Sequence, residues 1–176
     1  MLAAVNVISG PAVTAPSGWT LVRRDASAGS PSVAQSLYVR VAGGSEPASY
    51  TWTFAAAHGA SGGIVAYSGV SNSSPVEASS GQASTTNSVT APSVTTTAPG
   101  SMVVGFFGMN GHRSVTPPAG MSERFEQQLT SPPGEKVTSE VADVLQAAAG
   151  ATGAKTATLD SASRAVGQLV ALRPGP

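Results

Sequence analysis

Short runs rich in Val, Thr, Ala and aromatic residues alternate along the whole chain with clusters of Gly, Pro, Ser and Asn. That rhythm is the punctuation of an all-β protein. It predicts strands over 2–9, 19–25, 34–42, 49–54, 63–68, 88–97, 101–109, 121–127, 137–146, 154–160 and 165–173. Turns fall between them at Gly10-Pro11, Pro16-Ser17-Gly18, Gly43-Gly44, Pro99-Gly100, Asn110-Gly111, Pro117-Pro118 and Pro132-Pro133-Gly134. Twenty Gly and 13 Pro, spread this evenly, leave little room for long helices.

Alternation is clearest in 49–54, where Tyr50, Trp52 and Phe54 share one face and Thr51 and Thr53 take the other. The segments 101–109 and 167–172 are continuously apolar, as expected of central strands covered on both faces. Many short strands with frequent turns predict a two-sheet antiparallel β-sandwich of about 10–11 strands, jelly-roll-like in its connections. One segment pulls the other way. Val137, Val141, Val144, Leu145 and Ala148 fall at helical spacing, with Gly150 placed as a C-terminal cap. The Val and Thr content favours a strand there, with a helix over 137–149 as the alternative.

Length and charge narrow the classes. A chain of 176 residues fits one domain over 1–176, long enough to bury a core. Nine Lys and Arg balance nine Asp and Glu, and charged residues make up only 10 % of the chain, so no field exists to attract a polyanion. Nucleic acid is therefore not an expected partner. The absence of Cys removes disulfides, thiolate nucleophiles and Cys-ligated zinc. No apolar run approaches the roughly 20 residues of a membrane-spanning helix, and the start of the chain lacks the pattern of an export signal. A surface of Ser, Thr, Gly and Ala suits an extracellular or virion protein.

Candidate chemistry is sparse. Gly59-Ala60-Ser61-Gly62-Gly63 matches G-x-S-x-G, but that motif requires a strand-to-helix turn, and here a strand follows. The only candidate bases are His58 and His112. No calcium loop, paired acids at glycosidase spacing or phosphate-cradling loop is present, so neither a cofactor nor a metal is expected. Asp25, Glu46 and Glu77 flank turns, where a carboxylate caps backbone N–H groups. The sequon at Asn72 reads as loop. Two candidate ligand contacts remain. Trp52 and its neighbours Tyr50 and Phe54 have the flat faces on which sugars stack, although with 5 % aromatic residues a place in the core is the stronger expectation. Asn110, His112 and Arg113 form the most polar turn.

The order APSGWTLVRR, YVRVAGGSEPASYTWTF, GGIVAYSGV, PVEA, VTAPSVTT, MVVGFF, TPPAGMSERFE, EVADV, AGATG and GQLVALRP resembles a β-sandwich module of bacterial secreted multidomain proteins and phage tail or virion proteins. The resemblance covers nearly the whole chain and is carried by turn and core residues, so it implies fold more than activity. It implies an adhesive, carbohydrate-facing or structural role, non-catalytic, and favours strand over 137–146. Such modules carry a further strand before the segment matching MLAAV. The chain is therefore expected to be a fragment of a longer protein, or to accept a homo-oligomeric or neighbouring strand at a vacant edge beside residues 1–9. A glycan is the alternative partner.

Overall fold

The computed structural model describes residues 1–130 and 132–176. Among them lie sixteen β-elements and no helix. Five elements have only two residues: β2 (Val13–Thr14), β5 (Thr53–Phe54), β9 (Thr95–Thr96), β11 (Val115–Thr116) and β14 (Gly150–Ala151).

The longer strands form three antiparallel sheets. The front sheet joins β3 (Thr20–Ala26), β4 (Val33–Val39), β1 (Leu2–Ile8) and β6 (Ala60–Val65) in the order β3-β4-β1-β6. The middle sheet joins β12 (Ser122–Leu129), β13 (Val137–Gln146), β10 (Ser101–Asn110), β16 (Ala165–Leu172) and β7 (Val76–Ser84), in the order β12-β13-β10-β16-β7. A smaller back sheet orders β11, β15 (Lys155–Leu159) and β8 (Ser88–Ala91) as β11-β15-β8.

Front and middle sheets make the sandwich. Leu2, Ala4 and Leu37 meet Val104, Phe106, Val141 and Val170 between them. The other side of the middle sheet, with Val103, Phe107, Met109 and Leu169, packs on Val89, Ala91, Ala157 and Leu159 of the back sheet. Sheathing on both faces is why β10 and β16 read as unbroken apolar runs. The segment with helical spacing is a strand. β13 is zipped between β10 and β12 along its length, and Val137 and Val141 then share the sandwich face while Leu145 is exposed. β-branched residues paired on both sides override a 3.6-residue period.

The sandwich interior is not purely apolar. Asn6 Nδ2 donates to Ser139 Oγ (2.6 Å), and Gln168 Nε2 donates to Asp25 Oδ2 (2.7 Å) and to the Gln35 carbonyl (3.1 Å). Gly108 gives this network its room, since a Cβ there would fall against the Asn6 amide.

Three expectations are corrected. β1 is not at an edge: it pairs with β4 on one side and β6 on the other, with all seven residues buried. Met1 is tied in as well, its amine donating to the Arg40 carbonyl. A vacant edge beside residues 1–9 is therefore ruled out. The 49–54 strand shrinks to β5, which pairs only with β2, because this segment lies over the front sheet instead of extending it. Residues 88–97 divide at Pro92 into β8 and β9. β7 went unpredicted. Its sequence VEASSGQAS has neither alternation nor bulk, and it is strand because β16 supplies the ladder.

Candidate functional site

The strongest candidate lies on the outer face of the front sheet. Alternation in β1 sends Ala3, Val5 and Val7 outward, where Trp19, Tyr38, Tyr50, Trp52 and Phe54 cover them. The rings are interlocked: Trp19 meets Tyr50 edge-on at 5.2 Å between centroids and Trp52 at 5.3 Å. Trp19 is thus buried in a layer on the outer face of the front sheet.

The turn before these rings is clamped by Glu46. It accepts from the Gly43 N–H (2.6 Å), from Arg40 Nε (3.1 Å) and from the Tyr50 hydroxyl, while the Arg40 guanidinium sits 5.5 Å from the Tyr50 ring centroid. The hydrogen bond from Gly43, helped by Arg40, holds the Glu46 carboxyl below its usual range. Between the aromatic layer and β6 runs an open cleft of about 480 Å³, lined by Tyr50, Trp52, Phe54, Val5, Ala60 and Ile64 among others. Ala3, Ala60 and Gly62 are small, which leaves the space that the rings do not fill. The size suits a small ligand, and the lining is apolar.

The four sequence candidates do not converge. Trp52 lines this cleft, half-buried. Asn110 ends β10, His112 and Arg113 sit in the turn after it, and two of the three serve the fold. Asn110 Nδ2 donates to the Pro31 carbonyl (3.0 Å), and the Arg113 N–H donates to Thr138 Oγ1 (3.1 Å). Of these three only His112 is exposed. The G-x-S-x-G serine is a wall residue too: Ser61 is buried in mid-strand and donates to the Gln127 carbonyl (2.9 Å). His58 turns away to Glu135, at 3.4 Å, and Glu135 also accepts from the Gly59 N–H.

Acidic side chains elsewhere are mostly spent on structure. Glu77 accepts from Thr97 N (2.5 Å), Ala98 N (3.2 Å) and Ser101 Oγ (2.9 Å), as well as from the Thr97 hydroxyl. Burial pushes its carboxyl up, but these donors outweigh burial and leave it below its usual range. Glu46 and Glu77 thus cap backbone N–H groups as their turn positions predicted. Asp25 instead takes a bidentate pair from Arg23 within β3. Asp143, with its side chain 2 % exposed, receives Arg124 through Nε (2.6 Å) and Nη2 (2.7 Å) and the Tyr67 hydroxyl (2.7 Å). Burial, then the Asp143 carboxylate, push the Tyr67 hydroxyl up.

Glu140 is the exception. It is fully buried on the back-sheet side of β13, opposite Phe107 and Glu126, and neither carboxyl oxygen has a hydrogen-bond partner among the described residues. Burial, with Glu123 and Glu126 nearby, pushes its carboxyl up to about 8.

Of the four sequence candidates only Trp52 lines the cleft, and the opposite wall, residues 60–64, overlaps the G-x-S-x-G match and the strand expected over 63–68. The available signal was the uncharged Gly-Gly strand. No family model, curated protein or solved structure matches the chain.

Proposed function

We propose that this protein is a non-catalytic structural or adhesive module of a phage virion or tail, or of a bacterial extracellular protein, acting through self-assembly or surface attachment. The observation that carries the reading is where its polar chemistry is spent. The carboxylates and histidine flanking the aromatic cleft cap loops and pair with neighbours, and the cleft itself is lined mostly by apolar and aromatic residues. A Ser- and Thr-rich surface of low charge, and the resemblance to secreted and virion modules, support the same reading. The test is a panel of chromogenic esters and glycosides. No turnover is expected, and turnover that disappears in Ser61→Ala would overturn the reading.

The aromatic wall favours carbohydrate binding as a second reading, since sugar rings stack on flat aromatic faces. On a glycan array, a cleft-bound sugar is expected to quench tryptophan fluorescence. Trp52→Phe is expected to weaken that binding by about fivefold, the effect of a smaller stacking face worth about 1 kcal/mol. A bound glycan whose affinity is unchanged by Trp52→Phe would place it outside the cleft.

A further inference from the structure

The two large sheets have four outer strands, and three are blunted against pairing. β3 has a register shift between Leu21 and Arg23 and carries Arg23, Arg24 and Asp25. β12 has one between Glu123 and Phe125 and carries Glu123, Arg124 and Glu126. β7 is opposed by a register irregularity at Ala171 and Leu172 and carries Glu77. Bulges and charges are the devices by which edge strands avoid adding another strand. β6 has neither. Its sequence ASGGIV is uncharged, contains no Pro, and keeps unbroken register with β1 from Ala60 to Val65.

The hydrogen-bond phase of β6 is fixed at its start, where Ile8 N donates to the Gly59 carbonyl (2.9 Å). Antiparallel pairs alternate between bonded and non-bonded positions. Ser61, Gly63 and Val65 therefore spend their backbone groups on β1, and Ala60, Gly62 and Ile64 direct theirs outward. Ala60 and Ile64 also present their side chains to the outer face, where they line the aromatic cleft, while a Cβ on Gly62 would meet the Ala4 carbonyl oxygen of β1.

We infer that β6 is a self-association edge, whose occupant is the β6 of a second copy of this chain, paired antiparallel about a two-fold axis at Gly62. A two-fold there sets Gly62 opposite Gly62 and Ala60 opposite Ile64, so that the three outward-directed residues of each copy meet. This forms up to about six backbone hydrogen bonds. The pairing is self-complementary in size: Ile64, 39 % exposed, lands beside the small Ala60 at the mouth of its partner's cleft. It is also neutral, since β6 carries no charge and the chain has formal net charge +0. The result is one continuous sheet across two front sheets. The inference rests on the structural or adhesive reading and specifies its self-assembly.

Sedimentation velocity over a concentration series tests it. The wild type is expected to be a reversible dimer, with a dissociation constant on the order of micromolar for so small an interface. Ile64→Lys faces solvent in the monomer, so its melting temperature when dilute is expected to match the wild type. Its dissociation constant is expected to rise at least about tenfold, because it lodges a charge at each apolar cleft mouth. In hydrogen exchange of the wild type, the Ala60, Gly62 and Ile64 amides are expected to gain protection with concentration. A wild type that stays monomeric, a dimer indifferent to Ile64→Lys, or concentration-independent exchange at those amides would each overturn the pairing. A monomer that instead protects them only on adding an unrelated extended peptide also overturns it. Glycan binding at the cleft is read separately, so loss of the dimer and loss of the attachment reading are distinguishable.

Discussion

Glu140→Gln is expected to make the protein less sensitive to alkaline pH, by about 3 kcal/mol between pH 5 and pH 8. The folded-state pKa of Glu140 is pushed up to about 8 from an ordinary 4.5, so the folded chain binds the proton more tightly than the unfolded chain. Stability from this group is full below about pH 4.5, falls as pH rises, and levels off above about pH 8. The surroundings give the ionised form no relief. Phe107 opposes it on β10, Glu126 opposes it on β12, and Glu123 adds like charge. Glu126 is itself engaged by Val115 N (3.0 Å) and Gln128 Nε2 (2.5 Å).

Carboxyls held low behave oppositely. Asp25, Glu46, Glu77 and Glu135 contribute stability that is present above their unfolded pKa and lost as pH falls through the folded value. The wild type is therefore expected to be most stable in mild acid, near pH 5, and Glu140→Gln to extend that optimum to the alkaline side. Urea unfolding of both proteins at pH 5 and pH 8 measures it. At pH 8 the variant is expected to melt about 6–12 °C above the wild type. Parallel stability curves would show that the buried acid is not the source of the pH dependence.

Gly167→Ala is expected to destabilise by about 3 kcal/mol, the upper range for overpacking a filled core. Gly167 sits within β16, where the middle sheet lies against the β8 backbone of the back sheet. A Cβ there would lie 2.7 Å from the Thr90 carbonyl carbon and oxygen and 2.9 Å from the Ala91 nitrogen. Those atoms are the backbone of β8, which cannot swing aside as a side chain can. The added methyl must push the back sheet off Val103, Phe107 and Leu169. Gly44→Ala is the matched control, since nothing lies within 4 Å of its Cβ position, and its expected change is within about 0.5 kcal/mol. Thermal melts of the two variants would separate by about 6–12 °C. Equal melts would mean that the sheets are not in backbone contact at Gly167.

Much of this was legible in the residue order. The Gly and Pro punctuation located ten of the eleven strands of four or more residues, or the extended segments around them, because turn chemistry is local. Continuous apolar runs identified β10 and β16 as central, and Val and Thr content outweighed the helical spacing of β13. The turn carboxylates Glu46 and Glu77 cap backbone as their positions predict. What stayed hidden is whatever depends on a partner distant in sequence. β7 takes its ladder from β16, about ninety residues away, and so carries no pattern of its own. The period of two in 49–54 correctly separated rings from threonines, yet could not say that the rings would lie over a sheet instead of within one.

The candidate site divides the same way. Trp52 could be chosen by chemistry, but its cleft exists only because Ala3, Ala60 and Gly62 come together from β1 and β6 beneath it. The first strand could be recognised as a strand, but its place between β4 and β6, and hence the transfer of the open edge to β6, is a matter of long-range pairing. Local sequence determined the all-β class, most strand positions and the caps, since these follow from backbone conformation and nearest neighbours. Tertiary structure alone decided which strand is an edge, which carboxyl is left without a donor, and where small residues meet large ones. Those depend on contacts between segments that the chain order keeps far apart.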